Sequence, residues 1–195
     1  DVASVLQRTK KDPIYELTNA LADRSADSAL FFLDSILSSG IHPLQVLSAL
    51  VNQIRKLLLA KGFVKSRLGE GWQSACPYSY FQKQVMPAIV EYDRELMDQM
   101  ENWQNMLNAA AISQKTGSPK KGKKTKSKAA TDLLIAKNPK NPYPIYLLLK
   151  KSDGFSQDKL ISDTEVLAEA DKKLKTSSQS PKLVLEKAIL SICKT

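Results

Sequence analysis

The sequence predicts an all-α fold, and three observations carry that prediction. Apolar residues recur at spacings of three and four along most of the chain, as they do on one face of a helix. Helix starts are marked by cap-plus-proline pairs at Asp12-Pro13, His42-Pro43 and Ser180-Pro181. A proline at the first helical position gives up only an amide that had no intrahelical partner. Alternating runs that would make half-buried strands are almost absent. The expected architecture is a compact bundle of helices with an inserted helical arm.

Taken in order, Asp12 caps a first helix whose Ile14, Leu17, Thr18 and Leu21 share a face. Ser25 starts a second, with Ala29, Leu30, Leu33, Ile36 and Leu37 at helical spacing and Gly40 as its stop. His42-Pro43 opens a third, whose stripe of Leu47, Leu50, Val51, Ile54, Leu57 and Leu58 ends near Gly62. Phe63 to about Tyr78 contains Gly69, Gly71 and Pro77 and reads as a loop. A longer helix follows, started or kinked by Pro87, with Ile89, Val90, Leu96, Met97, Met100, Trp103, Met106 and Leu107 on its apolar side. Trp103 with Met97, Met100 and Met106 is read as helix core rather than a partner groove. Residues 115–129 are Lys, Gly, Ser, Thr and one Pro up to the closing Ala129, a composition expected to be disordered in isolation. A helical turn is expected at residues 131–137, then a short helix from Pro144 to Leu149 after the Pro139, Pro142, Pro144 cluster. Ser156 caps the next helix, with Leu160, Ile161, Thr164, Leu167, Ala170 and Leu174. The last carries Val184, Leu185, Ala188, Ile189 and Ile192.

The chain has 195 residues, enough for one domain or a domain with a large insertion. No apolar run approaches the roughly 20 residues needed to cross a bilayer. No signal peptide is visible, and the start at Asp1 suggests a piece of something longer. Two separated cysteines, Cys76 and Cys193, read as reduced thiols rather than a disulfide framework. The net charge is +9, yet seven lysines (Lys115, Lys120, Lys121, Lys123, Lys124, Lys126 and Lys128) sit in one strip without an acidic residue. The rest of the chain is left near neutral, at +2.

No catalytic, cofactor or metal constellation emerges. Gly117-Ser118-Pro119-Lys120-Lys121-Gly122-Lys123 begins like a phosphate-binding P-loop, but Lys124 replaces the hydroxyl residue that ligates magnesium, and no strand precedes it. His42 is the only histidine, and its place before Pro43 fits capping better than catalysis. Nothing pairs Cys76 with it as a nucleophile. Asp171 and Lys175, four apart, read as a surface ion pair. The lysine strip has two readings. Each lysine that meets a phosphate releases counterions, which gives sequence-blind DNA binding; the same strip also serves as a solvated linker. It holds no aromatic residue for base stacking.

Two runs, His42-Pro43-Leu44-Gln45-Val46-Leu47-Ser48-Ala49-Leu50-Val51-Asn52-Gln53-Ile54-Arg55-Lys56-Leu57-Leu58 and Leu167-Ala168-Glu169-Ala170-Asp171-Lys172-Lys173-Leu174-Lys175, carry a resemblance. With Pro181-Lys182-Leu183-Val184-Leu185-Glu186-Lys187, Leu17 to Arg24 and Ala29-Leu30-x-x-Leu33-Asp34, they resemble the C-terminal collar domain of the bacterial DNA polymerase III delta subunit. The likeness spans residues 12–62 and 142–194; residues 1–11 resemble the tail of the preceding domain, and about 64–140 reads as an insertion without a counterpart. The resemblance implies a non-enzymatic oligomerisation module, bacterial, cytoplasmic and nucleoid-associated, that holds its subunit in the complex loading the sliding clamp on primed DNA. Its implied partners are the delta-prime and tau/gamma subunits, with clamp contact expected only from the missing N-terminal domain. Leucines on the third and last helices exceed what one bundle needs, so contact candidates are Leu44, Leu47, Arg55, Lys182, Leu185, Glu186 and Ile189. The rival reading is a nucleic-acid-binding module working through Lys115–Lys128.

Overall fold

The computed structural model describes residues 12–113 and 133–194. All regular structure among them is helical: α1 (Pro13–Ala22), α2 (Ala26–Ser38), α3 (Pro43–Lys65), a single turn α4 (Tyr78–Tyr80), α5 (Met86–Ser113), α6 (Tyr143–Asp153), α7 (Gln157–Thr176) and α8 (Pro181–Cys193). The chain divides into two compact units. The first takes the chain up to Lys61 and from Leu148 onward; the second is Gly62–Leu147.

In the first unit the helix ends follow from local chemistry. Asp12 Oδ1 accepts the Ile14 amide at 2.9 Å, and Ser156 Oγ accepts the Lys159 amide at 3.1 Å. Two other serines behave differently from the usual capping role. Ser25 Oγ bonds Ser28 Oγ instead of a helix amide, and Ser180 makes no side-chain cap, leaving Pro181 to start α8. α2 closes with Gly40 at φ 85°, so that the Gly40 amide reaches Leu37 O and the Ile41 amide reaches Ile36 O. The left-handed residue turns two otherwise orphaned carbonyls back into the chain. α1 ends the same way, but the left-handed residue is Arg24, at φ 56°.

α1 packs on α2, α2 and α7 pack on α8, and α1 also touches α8. Their apolar stripes meet in one core that includes Leu17, Leu21, Leu33, Ile36, Leu50, Ile54, Leu57, Leu160, Leu167, Leu185, Ile189 and Ile192. Each fully buried aliphatic side chain of this kind contributes about 1.5–3 kcal/mol relative to exposure. At one edge lies a charged cluster. Arg24 donates to Gly154 O (3.2 Å) and Lys194 O (2.9 Å) and lies over the Phe155 ring at 4.8 Å. Lys159 joins the fully buried Asp163 to Ser191 O.

The second unit has its own core. Trp72, Tyr78, Phe81, Tyr143 and Tyr146 form a ring cluster with centroids 5.2–6.5 Å apart, and the Tyr146 hydroxyl donates to Cys76 O at 2.9 Å. α3 does not end near Gly62 but runs on to Lys65. A Cβ at Gly62 would meet the Tyr92 hydroxyl at 3.1 Å, so this glycine is a point of close approach and not a stop. Pro87 neither starts α5 nor breaks it. Residues Phe81–Val85 widen into a π-turn just before it, with the Met86 amide bonded to Phe81 O. The wider turn absorbs the ring and the missing donor of Pro87.

The helical turn expected at residues 131–137 lies partly outside the described residues, and 134–137 are irregular. The reason is Asp93, whose buried carboxylate takes the Ile135 amide at 3.0 Å and the Ala136 amide at 2.7 Å. Burial nevertheless raises the Asp93 pKa, the two amides opposing the shift.

Candidate subunit-contact site

α3 and α7 each offer a stripe to the same open groove of the first unit. Leu44, Leu47, Ser48, Val51, Ile54, Arg55 and Leu58 come from α3, at helical spacing. Thr164, Leu167, Ala168, Asp171 and Lys175 come from α7. The groove holds about 590 Å³. Leu47, Ile54 and Leu167 form its floor, each 2% exposed or less, while Leu44, Val51 and Leu58 are half-buried walls.

Its polar edge is sparse. Arg55 Nη2 donates to Asn52 Oδ1 at 2.7 Å, but Arg55 Nε is buried without a hydrogen-bond partner. Leaving such a donor unmet costs about 1–3 kcal/mol. Lys175 pairs with Asp171 at 2.7 Å, the i,i+4 surface pair read from the sequence. An apolar groove with one unmet donor suits a protein partner better than a reaction.

The seven contact candidates separate. Leu44, Leu47 and Arg55 line the groove together. Leu185 and Ile189 do not face outward: both are fully buried, because the α8 stripe is consumed by the core. Leu47 likewise shows only the floor of the groove. Lys182 is exposed and bonded to Asp34, whose carboxylate raises the lysine pKa; Glu186 lies 4.0 Å from it. Val51 and Leu58, on the helix the sequence offered for contacts, also line the groove, and the α7 residues that line it were not among the sequence candidates, since periodicity marks an apolar stripe without saying which part of it the core uses.

The remaining candidates resolve quickly. Lys115, Lys120, Lys121, Lys123, Lys124, Lys126 and Lys128 lie outside the described residues. His42 Nδ1 accepts the Leu44 amide at 3.2 Å, a capping bond. Cys76 and Cys193 are free thiols, and burial pushes the Cys193 thiol pKa up. Among the described residues no cluster of His, Cys, Asp and Glu could hold a metal ion, and no helix is long and apolar enough to cross a membrane. Trp103 and Met106, read as helix core, are exposed at 59% and 67%. Residues 101–108 of α5 are all exposed.

The described residues make an all-helical domain with an open apolar groove lined by α3 and α7. The sequence model of the DNA polymerase III delta subunit, C-terminal domain, matches residues 79–192, more than half the chain, and the chain belongs to that family. It is thus a domain of a non-catalytic clamp-loader subunit. The matched span runs through most of the stretch for which the resemblance supplied no counterpart, and it leaves out α1 to α3. No curated protein and no solved structure matches the chain.

Proposed function

We propose that this chain is the oligomerisation, or collar, domain that holds a delta subunit in the clamp loader, packing beside delta-prime and tau/gamma. The observation that carries the reading is the groove between α3 and α7, with its buried, unmet Arg55 Nε. A neighbouring subunit that lays an apolar helix face in the groove would cover Leu44, Val51 and Leu58 and supply an acceptor to Arg55. Assembly of this kind needs no chemistry from the domain itself. It positions the subunit while nucleotide-dependent changes occur elsewhere in the complex.

The test is co-purification with delta-prime and tau/gamma. Val51→Glu and Leu58→Glu place a charge on half-buried walls, where refolding of the core is not required. Loss of assembly with unchanged circular dichroism is the expected result. If every folded groove variant still assembles, the collar contact lies elsewhere.

The second reading, nucleic-acid binding, is favoured by the seven lysines of residues 115–128 alone. It is separated from the first by measuring DNA affinity without partner subunits as salt is varied.

A further inference from the structure

The groove between α3 and α7 carries a charge that its own walls do not answer. Three charged residues line it: Arg55, Asp171 and Lys175. Asp171 and Lys175 are bonded to each other at 2.7 Å, which leaves the Arg55 guanidinium without a counter-charge among the lining residues. Its Nη2 donates to Asn52 Oδ1 at 2.7 Å, and its Nε is buried with no hydrogen-bond partner. The side chain is half-buried, within one helical turn of the Val51 and Leu58 walls. While the groove is open, water screens this cation. An apolar face laid across it would bury a guanidinium, a group that keeps its charge at any working pH.

We propose that Arg55 is the specificity-determining residue of this groove, and that the occupant is an amphipathic helix of a neighbouring clamp-loader subunit carrying one Asp or Glu that pairs with Arg55. This rests on the collar reading above and names the chemistry of the partner. Two features select it. A buried, unpaired charge costs more than a few apolar contacts return, so the occupant must bring the anion. A neutral acceptor would satisfy one N–H and leave the charge. The guanidinium is also little committed within the chain, with one donor held by Asn52. A carboxylate takes two guanidinium donors at once in the planar fork. Pairing would draw Nε out of the wall and end its unmet state.

The groove also sets the size of the occupant. Leu44 to Leu58 covers about 21 Å of α3, which a partner helix spans in about four turns. Arg55 lies three residues short of Leu58. The partner's carboxylate therefore belongs in an end turn of the contact, with aliphatic anchors at helical spacing along the rest.

The test is the affinity of the 195-residue chain for delta-prime and for the tau/gamma subunit, each measured alone by calorimetry. Arg55→Met removes the charge and the unmet donor but keeps an apolar stem. The free variant should melt at or above the wild-type temperature, while affinity for the subunit that fills the groove should fall roughly 30-fold or more. A residue with a purely structural role would move both in the same direction. Arg55→Lys, which keeps the charge without the fork, should lie between. Arg55→Glu should abolish binding, and changing one acidic residue of that subunit's contact helix to Arg should restore it. Val51→Glu, measured in parallel, separates this proposal from the collar reading. If Val51→Glu abolishes binding and Arg55→Met does not weaken it, the groove is a purely apolar contact and the proposal alone is overturned. If neither variant changes either affinity, both are overturned. Failure of every acidic-to-Arg change to rescue Arg55→Glu also overturns it, as does a chain that dimerises through Val51 and Leu58 in sedimentation velocity.

Discussion

Arg24 occupies a left-handed backbone conformation that costs an L-residue about 1–2 kcal/mol. The guanidinium offsets that cost by holding two carbonyls and the Phe155 ring. Arg24→Ala should therefore lower the urea midpoint of the first unit, by about 2 kcal/mol in stability. Arg24→Gly should recover part of the loss by relieving the backbone. Asp163 gives a pH signature in the same cluster. Burial raises its pKa, against the opposing hydrogen bond and charge of Lys159 and the charge of Arg24. The folded state then holds the proton to higher pH than the unfolded chain does. Its contribution to stability falls as pH rises from the ordinary carboxylate value through the raised one. Asp163→Asn should flatten that part of a stability–pH curve measured by urea unfolding. In the second unit, a Cβ at Gly69 would lie 2.1 Å from Phe63 O, a backbone atom that cannot step aside. Gly69→Ala should destabilise by at least ~2 kcal/mol, whereas Gly40→Ala, facing open space, should cost about 1 kcal/mol through φ alone. Thermal melts of the two variants check the ranking.

At the scale of the element, α3 shows how one helix serves several masters. Leu50 and Leu57 go to the core, Leu44, Val51 and Leu58 to the groove, and Phe63 to the second unit. A charge on the core face should unfold the unit, while a charge on the groove wall should not. Leu57→Glu is expected to abolish the cooperative melt, and Leu58→Glu to keep it, with circular dichroism as the check. The lysine strip makes a separate prediction. If it binds DNA, changing Lys120, Lys121, Lys123, Lys124, Lys126 and Lys128 to Gln should flatten the salt dependence. The log–log slope is about −0.9 per neutralised duplex phosphate, so three lost contacts change it by roughly 3. An unchanged slope would assign the strip to solubility.

For the whole molecule, the question is whether the two units stand independently. The first unit's core draws on α1, α2, α3, α7 and α8 and on Phe155, with no residue of Gly62–Leu147 among its fully buried members. Replacing residues 66–138 with a short Gly/Ser linker should leave a cooperative melt with high helicity. Loss of cooperativity would show that the second unit is part of the same folding transition. The family assignment is compatible with either outcome, because the matched residues 79–192 include parts of both units.

Much of this was legible in the chain itself. The helical class, the starts at Pro13, Pro43 and Pro181, the stop at Gly40 and the cap at Ser156 depend on contacts within a few residues, which sequence spacing encodes directly. The family was legible for the same reason, since order and spacing of helical stripes survive without coordinates. What tertiary structure alone decided was the use of each apolar face. Leu185 and Ile189 went inward, Trp103 and Met106 stayed outside, and the floor of the groove combines Leu47 and Ile54 of α3 with Leu167 of α7, more than a hundred residues away in the chain. Asp93 reaching the amides of residues 135 and 136 belongs to the same kind. Periodicity reports that a helix has an apolar side; only the packing of distant elements determines what that side is buried against, or whether it is buried at all.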